Sequence, residues 1–311
     1  MDNICHTLVG AALAETGLKR RTALGSATLM IAANFPDIDV VAVPLGHSLG
    51  IRRGITHGLP ALIILPFVLA AIMIGWQRWR GRGEAPDPGA VLLLSAIGIL
   101  THPVLDWMNT YGMRWLMPLD GTWWYGDTLF IIDPWILFAL LVGVIVSRRR
   151  DKRSSPAASL PAKLALGSVA VYIAMMLGLS RMTREGARSV LAARGITPDT
   201  LVVDPRFATP ITRGVTYLWQ GSYRLATYRL LAHELTEPWF EIPVNDSHPA
   251  IPVANQTATG REYHSWARLP YYVIEQAGDT TWVLIGDARY TLNARSSWAS
   301  ARIPVVRSQT P

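Results

Sequence analysis

AVLLLSAIGILTHPVLDW, residues 90–107, decides the fold class of this chain. From Ala90 to Leu100 it carries no charge, and Ser95 is its one polar side chain. Wound as a helix it would rise roughly 27 Å at ~1.5 Å per residue, close to the ~30 Å hydrocarbon core of a bilayer. It closes on His102 and Asp106, four residues apart and therefore on one helical face. The stretch reads as a membrane helix whose end carries a polar site.

Working outward, Leu59–Trp76, Leu129–Ser147 and Lys163–Ser180 have the same character, each bounded by charge, Gly or Pro. Ile4–Phe35 is apolar as well, but Lys19, Arg20 and Arg21 break it into two short pieces, and it is expected to form a helical hairpin. No cleavable signal segment is expected, because no basic start precedes an apolar core and a small-residue cleavage site. With 50% hydrophobic and only 16% charged residues, the composition fits lipid contact better than a soluble fold. After Ser180 the chain reads like ordinary soluble sequence. Val215–Gln220, Tyr223–Leu231, Trp239–Val244, Tyr271–Gln276, Thr281–Ile285 and Tyr290–Ala294 are short, rich in β-branched or aromatic residues, and separated by turn formers. The expected class is α+β. A multi-span α-helical domain covers residues 1–180, a connecting helix or linker residues 181–199, and a small, mainly antiparallel β domain residues 200–311.

A formal charge of +7 raises the question of nucleic acid, but the positions of the basic residues answer it. Arg78, Arg80 and Arg82 follow one span, and Arg148, Arg149, Arg150, Lys152 and Arg153 follow another two crossings later. That is the bias of cytoplasmic loops, so no nucleic-acid partner is expected. It also puts residues 36–58, residues 108–128 and the region after Ser180 on the outer face. The single Cys5 excludes an intrachain disulfide and a thiolate metal site.

On this map the ionisable residues collect at one level. His6 opens the first helix, Asp37 and Asp39 close the second, and His57 opens the third. His102 and Asp106 end the fourth, while Asp127 and Asp133 precede or open the fifth. A carboxylate at mid-bilayer costs roughly 2.5 kcal/mol or more unless paired, wetted or metal-bound, and several together also repel one another. A divalent cation removes both costs. Each piece alone has a plainer explanation. A His–Asp pair at i,i+4 is often only hydrogen-bonded, Pro36-Asp37-Ile-Asp39 can simply end a helix, and His57 can cap one. It is the joint clustering of His6, Asp37, Asp39, His57, His102 and Asp106 that points to metal ligands, with zinc or a related ion accepting imidazole nitrogen and carboxylate oxygen. Asp39, Asp127 and Asp133 are also candidates for orienting a ligand or acting as general base. Tyr111 and Arg114 could bind substrate, and Trp123 and Trp124 are expected in an interfacial belt.

Taken in order, His6-Thr-Leu-Val-Gly10, Pro36-Asp37-Ile-Asp39, Arg53-Gly-Ile-Thr56-His57, His102-Pro-Val-Leu-Asp106 with Thr110-Tyr-Gly112, and Ile131-Ile-Asp133-Pro134 resemble the inner-membrane metal-dependent hydrolases described as LexA-regulated, the YdjM-like family. The resemblance covers about residues 1–140. It implies a multi-pass protein of the bacterial inner (cytoplasmic) membrane, a divalent metal and hydrolase activity. The family often has His where this chain has Arg52, and Ser where it has Gly58.

The function expected is hydrolysis of an ester or phosphoester by a metal-activated water at the outer membrane interface. Membrane lipid is the expected surrounding, and a small or lipid-like substrate would arrive by lateral diffusion. The alternative is a non-enzymatic membrane protein that binds, moves or is stiffened by a divalent cation.

Overall fold

Asp2 starts the first helix: its carboxylate accepts the backbone N–H groups of Ile4 and Cys5 and so caps α1 (Asn3–Glu15). The computed structural model describes residues 1–45, 48–81, 86–291 and 299–306. A 3₁₀ turn, Leu18–Arg21, carries the three basic residues that interrupt the apolar run and returns the chain into α2 (Gly25–Ala32). Pro36 then stops regular helix, and Phe35–Leu45 continues as 3₁₀ before the single turn α3 (Ser48–Ile51). The long helices follow as α4 (Leu59–Arg80), α5 (Pro88–Trp107), α6 (Pro134–Lys152) and α7 (Leu160–Ala193). Asp87-Pro88 and Asp133-Pro134 open α5 and α6 in the same way, the Asp side chain capping and Pro taking the first helical position. Gly81, at φ 58°, ends α4 in the left-handed conformation that glycine accepts without strain.

The chain divides into two units, Met1–Gly178 with Pro205–Pro210, and Leu179–Asp204 with Ile211–Pro311. In the first, α2, α4 and α5 meet around Ala32, Leu69, Ala70, Met73, Val91 and Ile99. The approach is close because Gly98 has no side chain: a Cβ there would stand 2.4 Å from the Cβ of Ala32. Small residues at helix contacts are how membrane helices gain packing energy where lipid supplies no hydrophobic drive. The opposite face of α4, with Ile63, Phe67 and Ile72, is exposed and apolar, as a lipid-facing helix requires.

Among the described residues, three helices are long and apolar enough to cross a membrane: α4, α5 and α7. The expected span Leu129–Ser147 is different in detail. Helix begins only at Pro134, and the apolar part before Arg148 rises roughly 20 Å at ~1.5 Å per residue, short of a full crossing. The expected short helix Arg181–Arg194 is no separate element. It continues the preceding span as one helix, α7, because nothing between Lys163 and Ala193 breaks it.

The second unit is built from antiparallel sheets, as the alternating runs predicted. A five-stranded sheet has the order β1 (Thr200–Arg206), β2 (Thr209–Trp219), β3 (Ser222–Arg229) and β4 (Glu234–Leu235), with β5 (Phe240–Pro243) also pairing with β3. Helices α8 (Ala250–Asn255) and α9 (Ala258–Trp266) lead to a three-stranded sheet of β6 (Pro270–Ala277), β7 (Thr280–Asp287) and β8 (Ser300–Val306). The period of two sorts β3 between two cores. Ala226 and Tyr228 join Ala187 and Leu191 of α7, whereas Tyr223 and Leu225 meet Tyr271 and Leu284 of the second sheet. Of the expected strand Tyr290–Ala294, Tyr290 and Thr291 are not in strand and residues 292–294 lie outside the described residues.

Candidate metal centre

The last turn of α5 supplies the first two groups. His102 and Asp106 project from one face, and the ring of His102 is fixed from behind, its Nδ1 lying 2.7 Å from the carbonyl oxygen of Ala33. A carbonyl can only accept, so Nδ1 carries the proton and Nε2 presents a lone pair inward. The turn after α2 brings Asp37, whose Oδ2 accepts from the Asn3 side chain at 3.0 Å while Oδ1 turns toward the imidazoles. The segment before α4 brings His57, placed where the chain passes so near Met117 that Gly58 cannot carry a Cβ.

Four atoms converge. His57 Nε2 lies 3.1 Å from His102 Nε2. Each of these nitrogens is 3.7 Å from Asp37 Oδ1, and Asp106 Oδ2 is 3.7 Å from His57 and 3.6 Å from His102. Nitrogen and oxygen donors at about 2.0–2.2 Å from one ion in a tetrahedron stand about 3.3–3.6 Å apart, so these separations fit a single small cation. Asp37 Oδ1 is buried with no hydrogen-bond partner, as a donor atom reserved for an ion would be. The donor set, two imidazole nitrogens and two carboxylate oxygens, suits zinc and its neighbours.

A second layer holds the first. Asp39 was expected as a ligand, but it lies behind His57, its Oδ2 3.5 Å from His57 Nδ1 and accepting the Arg53 backbone N–H at 2.8 Å. Thr56 Oγ1 is 3.0 Å from the same ring nitrogen. Metal-bound imidazoles are commonly oriented in this way. Arg53 gives Asp106 Oδ2 a bond from Nε at 2.9 Å and anchors its other end on Asn109 Oδ1 and the Gly112 carbonyl, both at 3.0 Å. The Met1 amino group also bonds Asp106. Arg52 stands 3.6 Å from both Asp37 and Asp39. Arg53, which opens the third motif of the series with no role assigned to it there, has a φ of 50°, unusual for a residue with a side chain.

His6 is adjacent without belonging to the four. Its ring stacks on His102 at 3.8 Å between centroids, and its Nε2 is 3.2 Å from Asp106 Oδ1. Asp127 and Asp133 are not in the group either. Asp133 caps α6 through the N–H groups of Trp135 and Ile136 and accepts the Tyr172 hydroxyl at 3.0 Å, which gives both its oxygens structural duties. Asp127 is buried at a φ of 48° in the loop before α6. Arg114, a candidate for binding substrate, instead clamps the carbonyls of Leu49, Gly50 and Arg52 and lies over the Trp123 ring. Trp123 is accordingly buried, and only Trp124 is exposed as a belt residue would be.

Burial governs the electrostatics. It lowers the pKa of His57 to about 3, with Arg53 and Arg52 assisting against Asp106, so the ring is neutral and its lone pair available. Burial, and for Asp37 the nearby Asp106, raises Asp37 and Asp39 above the ordinary carboxylate range, while Arg52 pulls both down.

Comparison with known proteins identifies the family. An uncharacterised protein of Bacillus subtilis, YfhP, is 23% identical over 156 residues, 47% of this chain and 46% of that protein, so the match spans about half the relative's length. No solved structure matches. The family model described as "YdjM inner membrane protein" matches residues 1–186, which include every residue of the cluster, α1 to α6 and most of α7. The chain therefore belongs to the YdjM inner membrane protein family.

Proposed function

We propose that this protein is a membrane-embedded metal-dependent hydrolase that cleaves an ester or phosphoester at the outer interface of the membrane, with zinc as its ion. The observation that carries the reading is the convergence of Asp37 Oδ1, His57 Nε2, His102 Nε2 and Asp106 Oδ2, whose ligand atoms all lie within 4.8 Å of one another. A divalent ion bound there supplies Lewis acidity and brings the pKa of water toward neutrality.

The chain's own residues do the rest. His57, His102, Asp37 and Asp106 hold the ion. Asp39 and Thr56 fix the ring of His57, and the Ala33 carbonyl fixes that of His102. Arg53 pairs with Asp106 Oδ2 at 2.9 Å and fixes the orientation of that carboxylate. Arg52, loosely shared between Asp37 and Asp39 and part-exposed, offers a cation beside the centre for charge that develops on the substrate. Asp39 thus works through His57 as a positioning residue, and Asp127 and Asp133 take no step.

Metal analysis of the protein purified in detergent tests this first, followed by turnover assays on carboxylic esters, phosphomonoesters and phosphodiesters. The reading requires bound metal in the wild type, and loss of both metal and turnover in His102→Ala with the protein still inserted and helical. A His102→Ala protein that loses its ion, keeps every activity and is only less stable would show that the ion is structural.

A further inference from the structure

Beside the centre, α1, α2 and the start of the 3₁₀ turn enclose an open cavity of about 530 Å³. Its walls are chiefly Met30, Ile31, Phe35 and Ile38, and Asp37 lies among its lining residues. Its apolar lining is open to the outside: Ile31 is 44% and Ile38 51% accessible. A soluble enzyme would not leave such a mouth open to water, whereas a bilayer covers it at no cost.

Polar atoms are confined to one side of this cavity. Asn3 donates to Asp37 Oδ2 at 3.0 Å, and Asn34 donates to Thr7 Oγ1 at 3.0 Å. The Asn34 carbonyl oxygen is buried with no hydrogen-bond partner. An orphaned acceptor of this kind costs about 1–3 kcal/mol unless a donor arrives to meet it. Asp37 therefore faces both ways, one oxygen toward the groove through Asn3 and the other toward the candidate metal centre.

We propose that this groove is the port through which a membrane lipid reaches the centre, its acyl chain lying along Met30, Ile31, Phe35 and Ile38 and a hydroxyl or N–H of its headgroup donating to Asn34 Oδ1. The proposal rests on the hydrolase reading for what happens next, but not for docking. The occupant is a lipid rather than a peptide or a second copy of the chain. An apolar trough open at the membrane face and closed by polar atoms beside Asp37 matches a molecule with one apolar and one polar end.

The probe is phosphatidylglycerol with a photoactivatable diazirine in its acyl chain, added to the full-length protein in vesicles of unlabelled phosphatidylcholine. The expected result is saturable crosslinking to residues 30–38, displaced by excess phosphatidylglycerol, with crosslinking to the lipid-facing residues 63–72 neither saturable nor displaced. Ile31→Trp, which fills the trough, should lower crosslinking at 30–38 by about tenfold or more, the factor that ~1.4 kcal/mol of lost contact produces. Its metal content and crosslinking at 63–72 should not change. Crosslinking at 30–38 that is no more saturable than at 63–72 overturns the port, and the wild type alone decides this if the variant does not fold. Saturable crosslinking without turnover of any lipid, carboxylic ester, phosphomonoester or phosphodiester upholds the port and overturns the hydrolase reading instead.

Discussion

Asp39→Asn separates positioning from chemistry at this centre. The carboxylate accepts the Arg53 N–H at 2.8 Å and stands 3.5 Å from His57 Nδ1, so it governs the orientation of His57 without touching the site where an ion would sit. Asn preserves the shape and one acceptor, and removes the negative charge behind the imidazole. Loss of such an outer partner weakens metal affinity by about 10–100-fold, or ~1.4–2.7 kcal/mol. The assay is zinc competition against a chelator of graded affinity, with turnover measured at saturating zinc. A rightward shift of one to two decades in the zinc requirement is expected, with turnover largely restored once zinc is in excess. His57→Ala, which removes a ligand atom outright, should not be rescued by zinc. An Asp39→Asn protein that binds zinc as tightly as the wild type but turns over far more slowly would refute the argument, because Asp39 would then be acting on the substrate rather than on His57.

Other perturbations test the supporting structure. Arg53→Ala leaves Asp106 without the guanidinium that pairs with it, which should cost about 3–5 kcal/mol in detergent unfolding. Arg53→Gly, whose backbone accepts the φ of 50°, should cost nearly as much and so assign the loss to the side chain. Gly98→Val forces apart α2 and α5, where a Cβ would lie 2.4 Å from that of Ala32, and should lower stability by about 1–3 kcal/mol in thermal melts. Asp133→Ala should cost about 1 kcal/mol as a lost helix cap and leave metal content unchanged; loss of the ion in that variant would return Asp133 to the site.

The sequence carried the fold class because its two periods differ: long unbroken apolar runs for the helical part, and alternation separated by turn formers for the sheets. It carried His57, His102, Asp37 and Asp106 for a related reason. Ionisable groups at the ends of apolar helices are costly there, so their presence is a signal visible without contacts. Asp39 and Asp133 carry the same signal and lie outside the group of four. A carboxylate that ligates, one that orients a ligand and one that caps a helix all sit at helix ends, and only distances tell them apart. Arg53 was hidden more thoroughly, since its role depends on a left-handed backbone that the run Arg52-Arg53-Gly54 does not announce. Helix limits were misjudged where hydropathy outran geometry. Leu129–Ser147 is apolar apart from Asp133 and the terminal Ser147, yet Pro134 with its capping Asp133 sets where helix starts. Arg181 changes polarity without breaking α7.

Charge balance links the site to the type of substrate it would suit. Asp37, Asp39 and Asp106 bring three carboxylates into one buried cluster, against which Arg52 and Arg53 set two guanidiniums. His57 is neutral, and burial shifts the Met1 amino group toward its uncharged form. With all three carboxylates ionised the side chains would leave one negative charge, which a divalent ion would turn into one positive charge. In a low-dielectric setting an excess charge of either sign is costly, and an incoming group of opposite sign relieves it. A singly charged phosphodiester neutralises the loaded centre, whereas an uncharged carboxylic ester leaves the excess in place. Arg52 fits the same preference. It is the least engaged of the cations at the centre, held at 3.6 Å from two carboxylates rather than bonded to either, and can move toward an anionic oxygen without stranding a partner. On the hydrolase reading proposed above, this charge balance would suit a phosphodiester better than an uncharged ester.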